Sequence, residues 1–210
     1  MDVRPILLSF QTAIIAILFT FVLGTGVAYI VFRLKNRKLK ILLNSLFTLP
    51  LVLPPTVFGF FLLTIFGVQQ PVGQFLLDFF AIQVVFSWPA TVIAAVAVSF
   101  PLMYRSALTA FEQMDSELLA VAQTLGFSES RYFRKIALPL SMNGLLAGGV
   151  LAFARGLGEF GATTMLAGNI AGKTRTLPLA IYSAVASGDW RLANQYVVIM
   201  LLLCLIILFF

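Results

Sequence analysis

Asp115-Ser-Glu-Leu-Leu-Ala-Val-Ala-Gln-Thr-Leu-Gly126, continued by Phe127-Ser-Glu-Ser-Arg-Tyr-Phe-Arg-Lys-Ile-Ala-Leu-Pro139, is a polar, amphipathic island between long apolar runs. Asp115 suits the cap of a helix, and Glu117 suits the positive end of its dipole. Leu118, Ala122 and Leu125 recur on one face at helical spacing. Gly126 ends that helix where a left-handed residue is wanted, and Ser128 can cap a second one. Pro139 closes the second helix as the next apolar run opens. The stretch therefore predicts a helix, a tight glycine turn and another helix, all lying outside a bilayer.

The flanks decide what kind of protein carries this island. Of 210 residues, 60% are hydrophobic and 10% charged, and the mean hydropathy is +1.02. Several apolar runs approach or exceed the roughly 20 residues that cross a bilayer as a helix. This is the composition of an all-α integral membrane protein, not of a soluble domain. The first run begins at Pro5 without a basic leader and ends in a basic cluster, the pattern of a retained helix and not of a cleaved signal. With no histidine and only Cys204, the commonest general base, a disulfide framework and a cysteine metal site are all missing. No catalytic or metal-ligating set emerges. The net charge of +6 sits at the edges of apolar runs, so membrane topology accounts for it without nucleic acid.

Five spans are expected within one transmembrane domain covering 1–210, at about 6–32, 41–66, 89–111, 140–164 and 192–210, with the island at 112–139. The first is followed by Arg33, Lys35, Arg37, Lys38 and Lys40 with no acid among them, which puts that loop in the cytoplasm and the N-terminus outside. Nine Lys and Arg then fall inside, four outside, and Arg155 lies within a span. The C-terminus is expected inside, and the lack of a basic flank at Phe210 is the pattern expected if a short tail follows.

Two interruptions stand out. Pro50, Pro54 and Pro55 break the second run, either as a kinked structural helix or as irregular backbone beside a water-lined path. In the fourth run, Arg155 and Glu159 share a helix face amid Gly156, Gly158 and Gly161. That pair is either a self-neutralising structural bridge or part of a polar pathway. Glycine N–H groups and the Thr163 and Thr164 hydroxyls offer neutral donors to an anion. Between 67 and 87 an outer loop with a short interfacial helix is expected, and 177–185 is apolar but too short to span.

Ala122, Gly126, Ile136, Leu138 and Pro139 match the spacing of a loop that resembles the coupling motif of ATP-binding cassette importer permeases: Glu-Ala-Ala, three residues, Gly, nine residues, Ile, one residue, Leu-Pro. The motif's Glu position is Ala120 here and its first Ala is Val121; Glu117 is not in register with that Glu. Further segments resemble the molybdate-type permeases of that class. They include Leu49-Pro-Leu-Val-Leu-Pro-Pro-Thr-Val-Phe-Gly59, Phe153-Ala-Arg-Gly-Leu-Gly-Glu-Phe-Gly-Ala-Thr163 and Gly168-Asn-Ile-Ala-Gly-Lys-Thr-Arg-Thr-Leu-Pro178. The Arg-Gly-Leu-Gly-Glu-Phe-Gly block is similar in sulfate and tungstate permeases, whereas the Pro-Pro-Thr-Val and Thr-Arg-Thr-Leu-Pro segments lean towards molybdate.

The resemblance implies a MetI-like, type I importer permease fold with a cytoplasmic coupling helix, in a bacterial or archaeal cytoplasmic membrane. It implies a homodimer, two ATPase subunits on the inner face and an outer oxyanion-binding protein. Asp115, Glu117, Leu118, Ala120, Val121, Ala122, Leu125, Gly126, Ile136, Leu138 and Pro139 become the ATPase-coupling residues. Pro54, Pro55, Thr56, Arg155, Gly158, Glu159, Gly161, Thr163 and Thr164 become the candidate pathway for molybdate, with sulfate as the alternative cargo. The sequence has no Gly-x4-Gly-Lys-Ser/Thr phosphate loop, so the chain is expected to bind no cofactor and to leave ATP and magnesium to its partner. A membrane-embedded enzyme using Glu159 and Asp189 is the rival from another class, but it lacks a convergent nucleophile and base. A self-contained secondary transporter would call for an internal repeat, and none is seen.

Overall fold

In the computed structural model, residues 1–115 and 117–209 are described, and helices are their only regular elements. Helix α1, Arg4–Arg33, is apolar on most faces and carries a buried seam of small residues that includes Ser9, Thr12, Ala13, Ala16, Thr20, Gly24 and Ala28. Helix α5, Trp88–Glu112, packs along it more extensively than any other pair of elements. Lipid offers no hydrophobic drive for helices to associate, so close approach and hydrogen bonds must do it. Both are present here. A Cβ added to Gly24 would lie 2.7 Å from the Met103 Cγ. Thr12 and Thr91 share a hydrogen bond at 2.9 Å, and Thr20 and Ser99 share one at 3.1 Å.

Helix α2, Arg37–Val52, starts at Asn36, whose side chain accepts from the Lys38 and Leu39 backbone N–H groups. Helix α3, Pro55–Phe66, follows at an angle of 113°, so 41–66 is two helices and not one. The cause is covalent. Pro54 has no N–H to give, and the residue before a proline is pushed to extended backbone, as Leu53 is at ψ 139°. A short helix α4, Pro71–Phe80, lies in the following connection.

After α5 come α6, Glu117–Thr124, α7, Glu129–Tyr132, a π-helical turn at Phe133–Ala137 and a last half-turn α8, Leu138–Leu140. Helix α9, Met142–Leu157, then departs at 72° to Glu129–Leu140. It lies against α5, where Cβ atoms on Gly144 and Gly148 would meet the Ala110 and Ser106 Cβ atoms at 2.7 and 2.5 Å. The run 140–164 is likewise interrupted, because α9 ends before Gly158 and α10, Gly161–Ala167, begins after Phe160. Helix α11, Leu177–Ala186, and the peripheral α12, Trp190–Phe209, complete the chain. The expected end of the last span at Phe210 lies outside the described residues.

Among the described residues, α1, α5 and α12 are each long and apolar enough to cross a membrane. Up to five crossings result if α2 with α3, and Glu129–Leu140 with α9, each count as one. Helix α5 is the most buried of the long helices and α12 the least.

Candidate functional site

Two places gather the residues singled out in the sequence, and they lie at different depths of the molecule. The first is the loop between α5 and α9. The Asp115 carboxylate accepts from the Glu117 N–H at 2.9 Å, as an N-terminal capping group does. At the other end of α6, the Phe127 N–H donates to the Ala122 carbonyl at 2.9 Å and the Gly126 N–H to the Gln123 carbonyl at 3.0 Å. Those two bonds are a Schellman closure, and it requires the left-handed φ of +75° found at Gly126. Ser128 caps α7 through the Arg131 N–H at 3.4 Å.

Helix α6 has two faces. Leu118, Leu119 and Ala122 pack inward on a core that includes Tyr104, Phe111, Tyr132 and Ala137, and Ile136 and Leu138 join them from the π turn and α8. Ala120, Val121 and Gly126 face outward, and so does Leu125, which is 70% exposed. The equal-face reading of Leu125 with Leu118 and Ala122 is therefore corrected. Helix α6 stops at Thr124, so Leu125 lies in the turn beyond the last helical residue, where the helical period no longer places it. Pro139 is exposed at the join to α9.

The loop is also tied back to the body. Arg33, the last residue of α1, donates from Nε and Nη2 to the Glu129 Oε1 at 2.8 and 2.6 Å. Apart from this tie, Lys40 of α2 pairs with Glu112 at the end of α5 at 2.6 Å, within the helical body. Burial pushes the Tyr132 phenol above its ordinary range, with the Arg33 guanidinium opposing that shift.

The second place is the seam where the two broken runs meet. Helix α3 lies against α10 almost backbone to backbone: a Cβ on Gly59 would sit 2.7 Å from the Ala162 Cα. One on Gly161 would sit 2.9 Å from the Pro55 Cβ and 3.1 Å from the Thr56 backbone N. Two segments separated by over a hundred residues, both flagged by their irregular sequence, thus form one site. Pro54, Pro55 and Thr56 present an exposed surface beside it, and Gly158 is exposed as well.

Arg155 and Glu159 sit at the break itself. Arg155 Nη1 donates to the Glu159 Oε2 at 2.6 Å, and the Ala162 N–H donates to the Glu159 Oε1 at 2.7 Å. The Glu159 side chain is 2% exposed and that of Arg155 32%. Both carboxylate oxygens are therefore engaged, one by a charge on α9 and one by the positive end of α10. The residue works as a staple across the Gly158–Phe160 break. Thr163 is buried, and the Thr164 Oγ1 donates to the Phe160 carbonyl at 2.6 Å. The arrangement offers no nucleophile beside a base.

On the far side, the loop before α11 is compact. The Arg175 Nε donates to the Asn169 Oδ1 at 2.7 Å, and the Asn169 Nδ2 to the Ser183 Oγ at 2.7 Å, while Lys173 is exposed.

Residues 20–210 match the model of the family described as binding-protein-dependent transport system inner membrane component. The chain belongs to this family. Within it, the chain is 45% identical over 206 residues to the putative molybdenum transport system permease protein YvgM of Bacillus subtilis (strain 168), covering 98% of this chain and 90% of the relative. It is 44% identical to the molybdenum transport system permease proteins ModB of Haemophilus influenzae (Rd) and Escherichia coli K12. Those matches cover 88% and 87% of this chain, and 80% and 79% of the relatives. The inward-facing MetNI methionine ABC transporter matches in fold, with a TM-score of 0.75 at 16% identity over 99% of this chain and 91% of that one. The architecture is accordingly the MetI-like permease fold expected from the resemblance.

Sequence reading missed three features of this family member: the Arg33–Glu129 pair, the π turn and the α3–α10 contact. The first joins residues 96 apart and leaves no local pattern. A weak signal existed for the third, since Gly59 stands five residues after Pro54 and Gly161 directly follows Phe160, each beside a break.

Proposed function

We propose that this chain is the membrane permease of an ATP-driven, binding-protein-dependent importer whose cargo is molybdate. The observation that carries the reading is identity of 44–45%, over most of the chain, to permeases named for molybdenum transport. Tungstate is a close chemical neighbour, and sulfate is the alternative cargo.

In this reading two copies of the chain enclose the path, with the N-terminus outside and the C-terminus inside, as the basic cluster from Arg33 to Lys40 favours. Two ATPase subunits, holding ATP and magnesium, dock on the inner face. An outer binding protein delivers the anion. The outward surface of α6, with Ala120, Val121, Leu125 and Gly126, meets the ATPase. Asp115 and Glu117 fix where α6 begins, and Leu118, Ala122, Ile136, Leu138 and Pro139 hold the loop to the spans. Closure of the ATPase pair displaces the loop and rocks the helices between outward and inward access.

At the seam, Arg155 and Glu159 fix the break, the exposed edge at Pro54, Pro55, Thr56 and Gly158 borders the path, and buried Gly161 lies just behind it. Neutral donors there, with the Thr163 and Thr164 hydroxyls available once the seam opens, hold a tetrahedral dianion weakly enough for it to leave.

Purified chain, its ATPase and its binding protein in lipid vesicles test this. ATP-dependent molybdate uptake is expected, resisted by excess tungstate and little affected by excess sulfate. Uptake without ATP would remove the importer reading, and equal competition by sulfate would remove the cargo assignment. Gly126→Val should lose ATPase stimulation, since a β-branched residue resists the left-handed turn while meeting no steric obstacle there.

A further inference from the structure

We propose that Tyr29 and Arg33, at the inner end of α1, are positioning residues that carry displacement of the 112–139 loop into the α1–α5 pair. The proposal rests on the importer reading above and names the route its coupling takes.

Four observations converge on this end of α1. First, Arg33 grips α7 with two donors on one carboxylate oxygen of Glu129. The guanidinium also sits at the negative end of the α1 dipole, which favours it there. Second, one turn earlier, the Tyr29 ring stands 4.5 Å from that of Phe133 and 5.5 Å from that of Phe111, centroid to centroid. Phe111 in turn lies 6.0 Å from Phe32 and 6.4 Å from Phe133. Tyr29, Phe111 and Phe133 thus form one aromatic contact of α1, the inner end of α5 and the loop, in which Tyr29 is the member from α1 closest to the loop.

Third, the π turn begins at Phe133, the residue that Tyr29 touches, and the chain then bends by 72° into α9. Widened turns of this kind recur at functional sites. The loop therefore meets the body not only along the chain into α9 but also through these sideways contacts to α1. Fourth, α1 is an unbroken helix of 30 residues, about 45 Å long. Its hydroxyl bonds to α5 at Thr12 and Thr20 make the two helices one body. At its far end the Ser9 Oγ accepts the Leu177 N–H at 2.7 Å, where α11 begins. The helix thus links the inner loop to the opposite end of the molecule.

The Tyr29 hydroxyl is buried and has no hydrogen-bond partner among the described residues. The ring is what the contact uses. That separates packing from hydrogen bonding in a test. The Arg33–Glu129 pair is partly exposed, and such pairs add little to folding, so its removal should leave assembly intact.

The experiment uses the complete importer in vesicles and reads molybdate taken up per ATP hydrolysed. Wild-type complex without ATP-dependent uptake would sink the importer reading itself, before any variant is compared. Given that uptake, Arg33→Gln and Glu129→Gln are each expected to lower the ratio on the order of fivefold, the lower range of coupling between sites. The exchanged pair, Arg33→Glu with Glu129→Arg, should restore much of it. Tyr29→Phe should match wild type, and Tyr29→Leu should fall with Arg33→Gln. Lys40→Gln breaks an ion pair between α2 and α5 and should leave the ratio unchanged. The proposal is overturned if the single variants assemble and keep the wild-type ratio. An exchanged pair no better than the singles, or a fall with Lys40→Gln equal to that with Arg33→Gln, overturns it too.

Discussion

The chain interrupts its apolar helices twice, and it does so by opposite means. Between α2 and α3 the break is made by prolines, on a stretch where Leu51, Val52, Pro54, Pro55 and Thr56 are all exposed. Helix α2 buries no residue fully. Between α9 and α10 the break is made around glycines and is enclosed, with Glu159 and Gly161 buried and Arg155 partly so. The proline break needs no partner, because the missing N–H and the ring clash are covalent facts. A glycine permits a break without demanding one, so something else must hold the chain there. Here it is Glu159, which joins Arg155 on one helix to the first turn of the next. An interruption held by a buried ion is the more fragile of the two.

The largest expected effect tests that fragility. Arg155→Ala leaves the Glu159 carboxylate buried with one partner fewer, a loss of about 3–5 kcal/mol. The purified chain should then aggregate or melt at markedly lower temperature in detergent. Arg155→Met combined with Glu159→Gln removes both charges yet keeps an oxygen for the Ala162 N–H, and should recover most of the folded protein. If the double variant is as damaged as the single one, the staple is not what holds the break. An Arg155→Ala protein that assembles fully but fails to transport would move Arg155 into the pathway.

A middle effect concerns the contact that brings the two breaks together. Gly59→Ala and Gly161→Ala each place a methyl against backbone or proline at under 3 Å, and neither neighbour is a flexible side-chain tip. A cost of about 1–3 kcal/mol is expected for each. Because the two share one contact, the double variant should cost less than the sum. Strict additivity in thermal unfolding would mean that α3 and α10 do not meet as described.

The smallest effect belongs to the proline break. Pro54→Ala removes an exposed ring, and its influence should stay below about 1 kcal/mol, mostly through the unfolded chain. A loss as large as that of Arg155→Ala would erase the contrast between the two interruptions.

Composition, period and spacing established a good deal by themselves. Long unbroken apolar runs in a chain with few charges read as helices in lipid, because no water is there to satisfy the backbone and barrel strands would alternate apolar and polar residues. The α6 cap at Asp115, the left-handed turn at Gly126 and the cap at Ser128 were legible because capping and turn chemistry act within a few residues. Pro54 and Pro55 marked the α2–α3 break for the same reason, although not its angle of 113°, whereas Pro50, expected to interrupt the run with them, lies inside α2 without ending it. Arg155 and Glu159 could be paired from their spacing alone, since i and i+4 share a helix face. What only the tertiary structure decided is everything that depends on distant segments meeting. The second role of Glu159, on the Ala162 N–H, requires the helix to stop and restart, which spacing does not encode. The outward turn of Leu125 follows from where α6 stops, whereas the period had placed it on one face with Leu118 and Ala122, of which Ala122 is buried. Gly161 lies on Pro55, and Arg33 reaches Glu129 across 96 residues, only because α5 gathers the other helices around itself. Local chemistry depends on neighbours in the chain and is written there; packing depends on neighbours in space, which the linear order does not name.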